Sequence, residues 1–279
     1  MKEEEIRKTV RDRYARVAKR GSPCCTPISS CCGSTDRAQD ISRKMGYTEK
    51  ELGTVPEGAN LGLGCGNPVA LASLKEGDTV LDLGSGAGFD CFLAANKVQK
   101  NGKVIGVDMT PEMIEKAREN ARKGNYSNVE FRLGEIENLP VADNSVDVII
   151  SNCVINLAPD KKRVFTEAYR VLRPGGRLMV SDIVLLKELP DSIKNSAQAY
   201  VACLAGAMMK DRYLDAIDVA GFEQVKVIDE TTFPVEYIVN DPAGKAVIEG
   251  SGMRTEDLKE IADGILSVKV SGTKPQEIK

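Results

Sequence analysis

Two periodicities divide the chain. Residues 3–20 carry Ile6, Val10, Tyr14 and Val17 three to four positions apart, which is the spacing of one helix face. From Thr79 onward, short apolar runs alternate with helical stretches. "TVLDLG", "KVIGVD", "VEFRLG", "VDVIISN" and "GRLMVSDIV" read as buried strands. "DCFLAANKV", "TPEMIEKARENARKG" and "DKKRVFTEAYRVLRPGG" read as the intervening helices. Thr110 supplies an N-cap, Pro111 the first helical position and Gly124 a stop, and a Pro-Gly pair closes the third helix. Unbroken apolar strands alternating with helices predict an α/β fold, with a mainly parallel sheet covered on both faces.

The flanks are less regular. "SPCCTPISSCCG" (22–33) and "PEGANLGLGCGNP" (56–68) are punctuated by Pro, Gly and Asn and read as loops. A short helix is expected within 35–53, and another after Pro68. Residues 190–220 predict mostly helix, with small residues around "CLAGAMM", and "FEQVKVID" a further strand. "RTEDLKEIADGIL" predicts a helix near the C-terminus. The expected divisions are an N-terminal helix and cysteine-rich arm (1–45), a core (46–188), a segment returning to the sheet (189–230) and a small C-terminal appendage (231–279).

Composition narrows the chemistry. The 279 residues are 42% hydrophobic and 28% charged, ordinary for a globular protein. A net charge of −3 gives no footprint for nucleic acid. No apolar run reaches the roughly 18 residues of a membrane span. The charged N-terminus lacks a signal-peptide core, so the expected location is cytoplasmic. The 8 cysteines are then expected as thiols, soft-ion ligands or catalytic groups rather than structural disulfides. There is no histidine, so acid–base work falls to Asp, Glu, Lys or Tyr.

"VLDLGSGAGFD" places Gly84, Ser85, Gly86 and Gly88 at a strand-to-helix turn, where the backbone can approach a ligand closely. Asp108 ends the next strand, where a carboxylate suits a ribose diol. The G-x-G-x-G spacing and the preceding Asp82 fit a pyrophosphate poorly and a ligand carrying an ammonium well. S-adenosylmethionine is therefore favoured over a nicotinamide dinucleotide. Glu135 and Ile136, after the third strand, are placed at the adenine edge, with a solvated loop acid as the plainer reading of Glu135. Met109 either packs on the adenine or fills the core.

Four cysteines fall within this pattern. Cys153 follows Asn152 just past the fourth strand, at the carboxyl end where ligands bind in such sheets. Cys203 lies among small residues, where core packing alone accounts for it. Cys65 stands between two glycines in a loop and is poorly explained as core. Cys91, beneath the glycine turn, reads as packing. Converging thiolates without imidazole suit a soft centre. Four thiolates would close a zinc site, but zinc has no use for S-adenosylmethionine. A trivalent pnictogen such as arsenite takes three thiolates and keeps a lone pair that can attack a sulfonium methyl without a general base.

"LGLGCGNP", "LDLGSGAGFDCF", "GVDMTPEMIEKA", "SNCVINLAPDKKRVFTEAYRVLRPGG", "SDIVLLKELP" and "CLAGA" together resemble the arsenite S-adenosylmethionine methyltransferases, from about Leu61 to Phe222. The resemblance implies a class I methyltransferase (Rossmann-like) core over 46–188 and arsenic binding by 189–230. It implies As(III) held by Cys65, Cys153 and Cys203. Cofactor contacts are then expected from Asp82, Gly84, Ser85, Gly86, Gly88, Asp108, Met109, Glu135, Ile136 and Asn152. It also implies a fourth thiol from residues 24–32, here assigned to Cys32, forming a disulfide with Cys65 that thioredoxin or glutathione resets. Two features depart from the family. The N-terminal region holds two cysteine pairs, Cys24–Cys25 and Cys31–Cys32, and no aromatic residue stands among Gly62, Leu63 and Gly64 just before Cys65. The rival readings are a small-molecule methyltransferase with incidental cysteines and a thiol-rich protein that binds arsenic or metal without turnover.

Overall fold

The computed structural model describes residues 2–20, 34–232 and 261–276. Cys24, Cys25, Cys31 and Cys32 lie outside the described residues, as does most of the predicted helix "RTEDLKEIADGIL". Helix α1 (Glu3–Arg20) begins with Glu3, Glu4 and Glu5, which complement its N-terminal dipole. Three short helices follow: α2 (Ser34–Lys44), α3 (Glu49–Leu52) and α4 (Pro68–Leu71). The regular unit runs β1 (Thr79–Leu83), α5 (Phe89–Val98), β2 (Lys103–Asp108), α6 (Pro111–Lys123), β3 (Val129–Leu133), β4 (Val146–Asn152), a 3-10 turn (Ile155–Leu157), α7 (Lys161–Val171) and β5 (Leu172–Leu185). Beyond it come α8 (Asp191–Lys194), α9 (Ala197–Val201), β6 (Met208–Met209), α10 (Lys210–Val219), β7 (Glu223–Thr232) and β8 (Ile265–Thr273).

The strands form one sheet in the order β3-β2-β1-β4-β5-β8-β7, with β6 paired beside the end of β5. The first five strands are mutually parallel, and β8 runs antiparallel to both β5 and β7. Because β1 sits centrally, successive strands leave it first toward β3 and then toward β5. That reversal opens a crevice beyond the carboxyl ends of β1 and β4. Both faces are packed. Phe165 and Tyr213 cover one with Leu81 and Ile149, while Phe92 and Phe131 cover the other with Val80 and Val148.

The structure departs from the sequence pattern in three places. The predicted C-terminal appendage supplies β8, an inner strand whose Ile265, Val268 and Val270 are buried. Residues 190–220 are mostly helical as expected, but in three pieces interrupted by β6, a strand the sequence pattern does not show. Helix α7 stops at Val171 rather than at the Pro-Gly pair. Arg173 precedes Pro174, which disfavours helical geometry, and Leu172 is already extended.

Replacing Ile265 by Ala should cost about 2–5 kcal/mol, the range for a buried aliphatic truncation. Ile228→Ala, on the exposed face of β7, should stay within about 0.5 kcal/mol. Urea denaturation separates the two. Equal small losses would show that β8 contributes no more than an appendage.

Candidate active site

A cavity of about 930 Å³ opens over the crevice. Its floor is the turn after β1. Gly84 holds φ at +71°, and a Cβ there would meet Val154 at 2.3 Å. Gly86 has φ +52° and faces open space. Its N–H donates to Asp108 Oδ2 at 3.0 Å, while Thr110 N–H donates to Oδ1 at 2.8 Å. Ser85 Oγ is buried without a hydrogen-bond partner among the described residues, as is Asn60 Nδ2 on the cavity wall. Orphaned polar atoms beside a backbone cradle are what a polar ligand would satisfy.

Two buried carboxylates lie under this cradle. Asp82 accepts from the Cys91 thiol at 3.2 Å, so Cys91 supports Asp82 as well as packing. Asp90 accepts from Tyr47 OH at 2.7 Å and from Asn152 Nδ2 at 3.1 Å. Burial, then mutual repulsion with Asp90, holds the Asp82 carboxyl well above its ordinary range, and burial pushes Asp90 up to about 6. A cationic ligand group would offset both.

Three thiols meet at the other end of the cavity. Cys65 is fixed by its backbone: its N–H donates to Asn152 Oδ1 at 3.0 Å and its carbonyl accepts from Ser267 Oγ of β8 at 2.8 Å. The neighbouring Gly66 is required by close approach, since a Cβ there would sit 2.1 Å from Ser181 Oγ. Cys153 donates its N–H to Ser181 O at 2.8 Å, and the Cys203 thiol donates to Cys153 O at 3.0 Å. Both Cys153 (φ +58°) and Cys203 (φ +62°) occupy left-handed backbone. Such strain in residues with a Cβ marks positions where side-chain direction outweighs local stability.

The environment favours the protonated form of Cys153 and Cys65. Hydrogen bonds with Cys203 and Cys65, then burial, push the Cys153 thiol well up; burial chiefly raises that of Cys65. Tyr14 of α1 packs on the cluster, and burial, then the neighbouring Cys203 and Cys153, drives its phenol upward. Beneath the sulfurs, Asp182 is fully buried. It accepts from Asn156 Nδ2 at 2.8 Å, Ile183 N–H at 2.9 Å and Tyr213 OH at 3.2 Å. Burial pushes its carboxyl up to about 7.

The sequence candidates distribute unevenly. Asp82, Gly84, Ser85, Gly86, Asp108, Met109, Ile136 and Asn152 line the cavity with Cys65, Cys153 and Cys203. Gly88 and Glu135 are not among the lining residues. Gly88 faces Phe131, where a Cβ would lie at 2.7 Å, so it serves helix–strand packing. Glu135 is turned toward α1, paired with Arg7 and Arg11. Glu137 lines the cavity instead, bound by Arg7 at 3.1 Å. Asn152 is foremost a brace for the Cys65 loop. The sequence offered no sign of Tyr14 or Asp182 at the site, because both sit in periodic apolar stretches that read as core.

The sheet order and glycine turn define a methyltransferase domain, and a family model of that description matches residues 74–221. An arsenite methyltransferase from Halobacterium salinarum is 53% identical over 82% of this chain and 61% of its own length. The Homo sapiens arsenite methyltransferase is 36% identical over 75% of this chain and 56% of its own. The crystal structure of an arsenic(III) S-adenosylmethionine methyltransferase from Chlamydomonas reinhardtii superposes with a TM-score of 0.61 at 31% identity, covering 85% of this chain and 73% of that one. The chain belongs to the arsenite methyltransferase family. It spans about three fifths of the length of the curated relatives. No helix among the described residues is long and apolar enough to cross a membrane.

Two outcomes test this geometry. A Cβ in left-handed backbone costs about 1–2 kcal/mol. Cys153→Gly should therefore be about 1 kcal/mol more stable than Cys153→Ala by urea denaturation, reversing the usual order of these residues. The raised Asp182 carboxyl means that the folded chain binds a proton that the unfolded chain releases. Its contribution is fully present below about pH 4 and is lost as pH rises through about 7. Stability should accordingly fall between about pH 4.5 and pH 7.5, less steeply in Asp182→Asn. An identical slope in that variant would remove Asp182 as the source.

Proposed function

We propose that this chain transfers a methyl group from S-adenosylmethionine to trivalent arsenic, as arsenite or its thiol complexes. The observation that carries the reading is the meeting of Cys65, Cys153 and Cys203 in the same cavity as the glycine turn, two of them on strained backbone. In this reading the cofactor lies over Gly84–Gly86 with Asp108 on its ribose and Met109 and Ile136 beside its base. Asp82 and Asp90 face its cationic end. When bound, it supplies an electrophilic methyl group. The chain needs no general base, because the arsenic lone pair carries no proton.

The thiols do two things. They replace the oxygen or thiol ligands of the incoming As(III), each entering sulfur passing its proton to the ligand that leaves. They then supply electrons. Methyl transfer as CH3+ takes arsenic formally to As(V), and oxidation of two thiolates to a disulfide returns it to As(III). In net terms, As(SR)3 plus RSH plus CH3+ gives CH3As(SR)2 plus RSSR plus H+. The balance calls for a fourth thiol beyond the three in the cavity. Cys32 is assigned to that role with Cys65 as its disulfide partner, and an external dithiol or glutathione-type reductant resets the pair. A cytoplasmic, reducing location suits that cycle.

The test is incubation with arsenite, labelled S-adenosylmethionine and a dithiol, with arsenic species resolved by mass spectrometry. Methylated arsenic should form, and Cys65→Ser, Cys153→Ser and Cys203→Ser should each lose at least about 100-fold in rate. A Cys153→Ser enzyme that still methylates arsenic normally would make the cysteines incidental. Bound arsenic with no methylated product would leave only a binding protein.

A further inference from the structure

The thiol cluster holds one donor that arsenic has no use for. Cys65 Sγ, Cys153 Sγ and a carboxylate oxygen of Asp182 all lie within 4.8 Å of one another. Oδ1 of Asp182 is occupied by two donors, while among the described residues Oδ2 receives only Tyr213 OH, at 3.2 Å, which leaves it a lone pair. A tetrahedral ion with metal–sulfur bonds of about 2.3 Å places its donors about 3.8 Å apart, so the three need close by only about 1 Å. Trivalent arsenic bound by thiolates is three-coordinate and directs its lone pair into the fourth position. A d10 divalent ion has no stereochemical lone pair, fills four positions and accepts mixed sulfur and oxygen donors. The carboxylate therefore distinguishes the two kinds of guest.

We infer that Cys65, Cys153 and Asp182 form a binding site for a thiophilic divalent cation of the zinc group, which shares two sulfurs with the arsenic site and so excludes arsenic. This rests on the assignment of those sulfurs to arsenic under the proposed function. The ion enters from the cavity, which Cys65 and Cys153 line. Two thiolates and one carboxylate over-compensate its charge, and Lys161 is close enough to act electrostatically on Asp182 and offset the excess. The cation is an inhibitor of methylation by occupancy. It takes part in no redox step, and its binding releases the protons of the two thiols.

The probe is Cd2+, added to the full chain carrying Cys24, Cys25, Cys31 and Cys32 all as serine, which leaves the four cysteines of the described residues. Thiolate-to-cadmium charge-transfer absorption reports binding, and arsenite binding is measured on the same protein. One Cd2+ per chain is expected, displaced one for one by arsenite. Asp182→Asn should weaken Cd2+ by at least about tenfold, the scale of losing a ligand, while arsenite affinity stays unchanged and attests the fold. Cys153→Ser should weaken both. Unchanged Cd2+ affinity in Asp182→Asn, an equal loss for both ions, or simultaneous binding of Cd2+ and arsenite would overturn the inference. Methyl transfer by the unsubstituted chain is read separately, so failure of the proposed function is told apart from failure of this one.

Discussion

The carboxamide of Asn152 holds the two halves of the site in register. Its oxygen accepts from Cys65 N–H at 3.0 Å, and the two N–H groups of its nitrogen are shared among Gly66 O at 2.8 Å, Tyr47 OH at 2.9 Å and Asp90 Oδ2 at 3.1 Å. One planar group at the end of β4 therefore ties a cysteine-bearing loop to the helix that follows the glycine turn. These bonds are largely removed from water, where each counts for more and where an unpaired member is costly. Among the described residues no other side chain is hydrogen-bonded to both Cys65 and Asp90. Val154 repeats the link in apolar form. It follows Cys153 directly and packs under Gly84, so the backbone that aims one thiol also supports the ligand cradle.

The sheet extends the same logic to the C-terminal strand. Ser267 of β8 donates to the Cys65 carbonyl, and β8 pairs along β5, whose Ser181 carbonyl receives the Cys153 N–H. The Cys65 carbonyl is thus held from 202 positions away and the Cys153 N–H from within the neighbouring strand. Helix α1 closes the cavity from the opposite side. Arg7 reaches Glu137 in the loop after β3, and Tyr14 packs against the cluster that holds Cys203. The N-terminal helix is accordingly part of the cavity wall rather than a detached arm.

Much of this was legible in the sequence because strands buried on both faces must be continuously apolar. β1, β2, β4 and the glycine turn announced themselves in that way, and with them Asp82, Asp108 and Cys153. β8 did not, since "ILSVKVSGT" interleaves Ser and Lys with its apolar residues and follows a stretch of helical spacing. The polar residues have partners there: Ser267 serves Cys65, and Lys269 pairs with Asp229 of β7 at 2.8 Å. Glu135 misled for a similar reason. Its place after β3 points to the crevice, yet arginines on a helix 124 or more positions away draw it aside. Sequence spacing carries local geometry well. It does not carry which distant cation a carboxylate will meet.

Electrostatics and donor softness sort the cavity into two ends. The floor near the glycine turn holds Asp82 and Asp90, buried without a neutralising side-chain cation among their described contacts, and both have raised carboxyl pKa values. A sulfonium and an ammonium relieve that cost, whereas a pyrophosphate would double it. At the thiol end burial raises the Cys65 and Cys153 thiols, which under the proposed function suits a neutral arsenic species that exchanges ligands without importing charge. Under the proposed function, a chain without histidine can therefore bring a cationic electrophile to a soft, neutral nucleophile, because neither end requires a base poised near neutrality. Asp182 alone stands apart from this sorting. It is a hard oxygen donor set beneath soft sulfurs, and that mixture suits a divalent cation better than the arsenic that the proposed function assigns to the thiols.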